Sequence, residues 1–202
     1  MFRNTQMVIV VALALATAAC AKPPQAQVDA ASAALSTATA AEASEYAPES
    51  YSAARDAQAK LDAELKAQEG KFALTRSYAE ATKLATAAAE AGEKAATEAA
   101  QRKQAAQTEA STLVADARTA IEGAETALTS APKGKGSQAD LEALQSDLSA
   151  AKSALGEAET ALNGQHYLDV KAKAEASKEK ATAVKSAVEQ AIQTRQGARR
   201  KG

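Results

Sequence analysis

From Tyr51 onward, apolar and small residues recur alternately every three and four positions: Tyr51, Ala54, Gln58, Leu61, Leu65, Gln68 and Phe72. That spacing is the stripe of an α-helix packed along one side. Asp56 with Lys60, and Asp62 with Lys66, add i,i+4 pairs in the favourable order. Gly70 reads as the turn at its end. Lys71 to Ala131 contains no proline and no loop-like cluster, and so predicts one long helix. Its seam runs Leu74, Tyr78, Ala81, Ala85, Ala88, Gly92, Ala95 and Ala99. Between Ala85 and Ser111 there is no large apolar residue, so a partner must come close enough to pack on alanine, or the region is solvated. Gly92 and Gly123 each weaken the helix by about 1 kcal/mol relative to alanine and are the places where it would break.

The second half repeats the theme more strongly. Pro132-Lys133-Gly134-Lys135-Gly136 is the clearest loop in the chain, and Ser137 to Asp140 forms a capping-box-like helix start. Leu141, Leu144, Leu148, Ala151, Leu155, Ala158 and Leu162 then make an unbroken 3-4 heptad. Asn163-Gly164 stops it in the manner of a left-handed C-cap. The last helix carries Tyr167, Val170, Ala174, Ser177, Ala181, Val184, Val188 and Ala191 at the same spacing. Two heptads joined by a tight turn predict an antiparallel hairpin, with Leu148 and Leu155 facing Val184 and Val170–Ala174. Gly197 is expected to end it. Upstream, Val28 to Tyr46 is helix-forming, Pro48 interrupts, and Glu49 begins the helix that bears the Tyr51–Phe72 stripe. Each half thus has a leucine-bearing helix, a glycine, an aromatic (Phe72, Tyr167) and an alanine- and lysine-rich helix. Duplication of one hairpin and shared composition both account for that.

Composition sharpens the fold class. Of the 202 residues, 58 are alanine and only 3% are aromatic, so helix is favoured while a thick core is not. The expectation is an all-α protein: an elongated antiparallel bundle, a coiled-coil-like rod. Charge is uneven. Residues 20–165 hold 14 Lys and Arg against 21 Asp and Glu, whereas residues 166–202 hold 9 against 4. Such asymmetry suits antiparallel packing of the last helix on the others, or contact of the basic end with an anionic surface.

The N-terminus carries an address. Arg3 precedes an apolar run from Val8 to Ala16, too short to span a bilayer comfortably, and Thr17-Ala18-Ala19 lead to Cys20, the sole cysteine. This arrangement resembles a bacterial lipoprotein signal, which implies cleavage before Cys20 and lipidation of its sulfur. Thr17 stands where that family prefers leucine. Ala21, where an aspartate would retain the protein at the inner membrane, implies outer-membrane sorting. The segments read as a signal peptide (1–19), a lipidated tether with Pro23-Pro24 (20–27), a long-helix region (28–131), a loop (132–137), a helical hairpin (138–195) and a basic tail (196–202).

Reactive groups are sparse. His166 is the only histidine and stands beside the hairpin turn; no second histidine or free thiol completes a metal site. Carboxylate pairs such as Glu122 with Glu125, or Glu157 with Glu159, read as surface charge. Gly134-Lys135-Gly136 lacks phosphate-loop spacing. No enzyme activity, cofactor or metal is expected, and no aromatic residues interleave with the basic end to suggest nucleic acid.

Ala34-Leu35, Glu45-Tyr46-Ala47-Pro48-Glu49-Ser50-Tyr51-Ser52-Ala53-Ala54, Leu61, Leu65 and Tyr78-Ala79-Glu80-Ala81-Thr82-Lys83-Leu84-Ala85 resemble the alanine-rich envelope lipoproteins with a Tyr-Ala-Pro helical domain of unknown function. That resemblance implies a compartment and a helical fold, and no activity. In that family the domain can precede an OmpA-like peptidoglycan-binding domain, for which residues 137–202 offer no alternating αβ pattern. The expectation is a periplasm-facing envelope lipoprotein, a spacer, scaffold or assembly partner held to the membrane by its lipid. An envelope protein or the cell wall is its expected contact, and oligomers are compatible with it. Lys201 is similar to the C-terminal lysine that joins Braun-type lipoproteins to peptidoglycan, but Gly202 comes after it, so a solubilising or electrostatic role ranks above covalent attachment. A different class starts from Lys171 to Ala181, which resembles the repeats of late-embryogenesis-abundant proteins and implies a conditionally disordered protectant. The leucine heptad at 141–162 counts against it, since an unstructured chain needs no register.

Overall fold

The computed structural model describes residues 22–131 and 138–201, so the expected signal peptide (1–19), Cys20, the expected loop (132–137) and Gly202 lie outside the described residues. The described chain is all helical: α1 (Gln25–Ala40), α2 (Ala43–Tyr46), α3 (Pro48–Glu69), α4 (Ala79–Thr129), α5 (Gln138–Asn163) and α6 (Tyr167–Lys201), with a 3₁₀ turn at Ala73–Thr75. It is an all-α helical bundle that divides into two compact units between Arg102 and Lys103, not at the loop after Ala131. Residues 79–102 of α4 belong to the first unit and residues 103–129 to the second.

Several boundaries differ from expectation for identifiable reasons. The N-terminal helix begins at Gln25 instead of Val28, because the carbonyls of Pro23 and Pro24 accept from its first turn: Gln25 N donates to Pro23 O at 2.8 Å and Val28 N to Pro24 O at 3.0 Å. It stops at Ala40, where Glu42 takes a left-handed φ of 57°. The helix expected from Glu49 begins one residue earlier, with Pro48 itself in the first turn of α3, where its missing N–H is no loss. The long helix starts at Ala79, not Lys71. Residues 71–78 form a loop, and the proposed seam residues Phe72 and Leu74 are 72% and 70% exposed. At the far end α6 runs through Gly197 to Lys201. A single glycine costs only about 1 kcal/mol in a helix, and basic residues suit a helix C-terminus.

In the first unit α1, α3 and the start of α4 share a core of Ala31, Leu61, Tyr78, Ala81, Ala85 and Ala88. Alanine seams let backbones approach, and Gly92 closes the gap fully: a Cβ there would sit 2.8 Å from the carbonyl carbon of Ala34. The residue expected to break α4 is therefore the point where α1 lies against it. Tyr46, Ala47 and Pro48 form the corner between α2 and α3. Tyr46 and Ala47 are buried, Arg102 Nη1 donates to Tyr46 O at 3.4 Å, and Ser50 Oγ donates to Glu98.

In the second unit Ile121, Ala124, Leu148, Ala151, Ala181 and Val184 form the core, with Leu144 and Leu155 against it. Ser177 Oγ, fully buried, donates to Ala151 O at 2.8 Å and pins the antiparallel register of α5 and α6. The expected facing of Leu148 and Val184 is observed. At the hairpin turn His166 N donates to Ala161 O and Gln165 N to Leu162 O, the two bonds of a Schellman ending. The left-handed residue is Gln165 at φ 62°, not Gly164. The last seam position moves from Ala191, exposed, to half-buried Ile192.

The units share one plan. Buried Tyr78, just before α4, and Ala81, Ala85, Ala88, Ala95 and Ala99 within it have the spacing of Tyr167, Val170, Ala174, Ser177, Val184 and Val188 in α6. The counterpart of Tyr167 is thus Tyr78, and not the exposed Phe72.

Candidate functional site

The one residue singled out for chemistry, Cys20, lies outside the described residues. Lys22 to Pro24 are non-helical, with Lys22 exposed, and deliver the chain directly into α1. Val28 near the start of α1, Leu65 near the end of α3 and Tyr78 before α4 all meet in one core cluster. The tether therefore enters the first unit at the end that also carries the 71–78 loop. The opposite end is marked by the hydroxyls of Thr39 and Tyr51, 3.0 Å apart, and by the Arg102–Tyr46 contact.

That loop is tightly braced. Buried Gln68 accepts from Ser77 N at 3.0 Å through Oε1 and donates through Nε2 to Glu64 at 2.6 Å. Arg76 Nε donates to Lys71 O at 3.0 Å and its Nη2 to Glu69 O at 2.8 Å. Thr75 Oγ1 donates to Phe72 O at 2.8 Å. Backbone groups that a loop would leave to water are held instead by side chains, and Phe72 and Leu74 stand outward from the frame. Periodicity missed this because the 3-4 spacing runs on through Phe72.

Charge in the second unit is arranged across helices. Lys171 pairs with Glu109 at 2.9 Å and Lys178 with Asp116 at 2.7 Å, so α6 runs parallel to α4. Arg118–Glu159 at 2.7 Å and Glu125–Lys152 at 2.6 Å join α4 to antiparallel α5, and Glu157–Lys173 at 2.9 Å joins α5 to α6. The basic last helix does pack on acidic partners, though antiparallel only to α5. These pairs are exposed, so each adds little stability, but together they favour one register. The Lys173 hydrogen bond and charge hold the Glu157 carboxyl below its ordinary range, and Glu157 raises Lys173 in return. Glu109 likewise raises Lys171. In the first unit the Ser50 hydroxyl lowers Glu98; burial opposes it, and the charges of Lys94 and Arg102 add further lowering.

Glu122 and Glu125 are exposed, as is Glu157, while Glu159 is half-buried; Glu125, Glu157 and Glu159 are engaged in the interhelical pairs with Lys152, Lys173 and Arg118. His166 is exposed in the turn. Among the described residues no group of three or more His, Cys, Asp or Glu could hold a metal ion, and no helix is long and apolar enough to cross a membrane. An open groove of about 630 Å³ lies between α4 and α5, lined by Glu125, Leu128, Thr129, Leu141, Gln145 and Leu148. Compared with known proteins, the chain matches no family model, no curated protein and no solved structure.

Proposed function

We propose that this protein is a non-enzymatic lipoprotein of the bacterial cell envelope, acylated at Cys20 and serving as a helical spacer, scaffold or assembly partner on the periplasmic side of the outer membrane. The observation that carries the reading is the sole cysteine, placed where a short apolar run ends and a proline-containing tether begins. Acyl chains contribute about 0.8 kcal/mol per buried CH₂, so several of them on one residue hold a protein firmly to a bilayer. The helices beyond the tether fit the role: alanine seams packed closely, charged outer faces, and ion pairs that set register.

Metabolic labelling with a fatty-acid analogue tests the proposal. The wild type should carry label and fractionate with outer membranes, and Cys20→Ser should carry none. Label persisting in Cys20→Ser, or absent from the wild type, overturns the assignment.

A further inference from the structure

Phe72 and Leu74 are the most exposed large apolar side chains among the described residues, and they sit two positions apart on a loop that four side-chain hydrogen bonds hold rigid. Across residues 70–78 the only charged side chains are Lys71 and Arg76, both cationic and flanking the apolar pair. Aromatic and aliphatic tips bracketed by Lys and Arg suit the boundary between acyl chains and phosphate headgroups.

The position of the loop decides which surface it meets. It lies at the end of the first unit where Lys22–Pro24 lead into α1, as the shared packing of Val28, Leu65 and Tyr78 requires. Covalent geometry limits the five steps from Cys20 to Gln25 to a span of about 18 Å. A lipid on Cys20 would therefore keep this end of the unit close to the bilayer.

We propose that the 71–76 loop is a second membrane contact: Phe72 and Leu74 enter the interfacial layer of the phospholipid bilayer that holds the Cys20 lipid, with Lys71 and Arg76 at the phosphates. This rests on the lipoprotein reading of Cys20. The two contacts would fix how the first unit stands on the membrane, which a single flexible tether leaves free.

The chain contains no tryptophan, so one introduced residue reports alone. The full chain is purified from membranes as Phe72→Trp, and separately as Ser44→Trp at the opposite end of the unit, after mass spectrometry of Cys20 and circular dichroism to verify the fold. Each is reconstituted into phosphatidylethanolamine–phosphatidylglycerol vesicles with and without brominated acyl chains. Phe72→Trp should shift to the blue and lose most of its emission to the bromines, while Ser44→Trp keeps both. An acylated chain that floats with vesicles but shows no quenching at Phe72→Trp overturns the loop contact and leaves the lipoprotein reading standing. Equal quenching at both positions also overturns it, as does a blue shift that needs protein concentration and no lipid, which would point to a second copy. Cys20 without acyl mass removes both proposals together.

Discussion

Gly92→Ala and Gly156→Ala place the same methyl group in two helices, and the packing around them dictates opposite outcomes. Alanine is favoured over glycine in a helix interior by about 1 kcal/mol, so propensity alone predicts that both variants gain stability. At Gly156 an added Cβ would meet nothing within 4 Å, and the full gain should appear. At Gly92 the Cβ would lie 2.8 Å from Ala34 C, 2.8 Å from Ala34 Cβ and 2.9 Å from Leu35 N. Favourable carbon contacts lie near 3.5–4.0 Å, so α1 would have to retreat by roughly 1 Å. Two of the three obstructing atoms are backbone and cannot swing aside as a flexible side chain would. Overpacking of this kind costs about 1–3 kcal/mol, and with the propensity gain of about 1 kcal/mol deducted the variant should lose up to about 2 kcal/mol. Urea denaturation monitored by far-ultraviolet circular dichroism reads both effects: a lower midpoint for Gly92→Ala and a higher one for Gly156→Ala. A Gly92→Ala midpoint raised as far as that of Gly156→Ala would refute the close approach of α1 and α4.

Leu148→Asp should destabilise the second unit by about 3 kcal/mol or more, because it sets a carboxylate among Ile121, Ala124, Ala181 and Val184; an unaltered thermal melt would refute that packing. Glu157 binds a proton less readily folded than unfolded, so its contribution is present above the ordinary carboxylate range and lost as pH falls through its lowered folded value. Melting temperature should therefore fall on acidification, the fall should be smaller in Glu157→Gln and in high salt, and identical acid limbs for wild type and variant would refute the Lys173 pairing.

Helix identity was legible along most of this chain because a 3-4 recurrence depends only on local sequence: Leu141 to Leu162 and Tyr167 to Val188 predicted both the hairpin and its facing residues. The Cys20 reading too comes from order along the chain. Where two continuations were locally equal, only tertiary structure chose between them. Gly70 announced the end of α3, but the spacing gave Phe72 and Leu74 seam positions beyond it; instead Gln68 and Arg76 use their side chains to hold a loop, and Tyr78 takes the buried position that Phe72 leaves. The division at Arg102–Lys103 has no proline or glycine to announce it, since α4 is unbroken there and only its packing partners change. Propensity treats Gly92, Gly123 and Gly156 alike, as weak points. Their difference exists only across space: a Cβ on Gly92 would strike the backbone of Ala34, one on Gly123 would touch the Lys185 side chain at 3.7 Å, and one on Gly156 would meet nothing. Local periodicity determines which face of a helix is buried, whereas the distance to whatever covers that face is a property of two segments far apart in the chain.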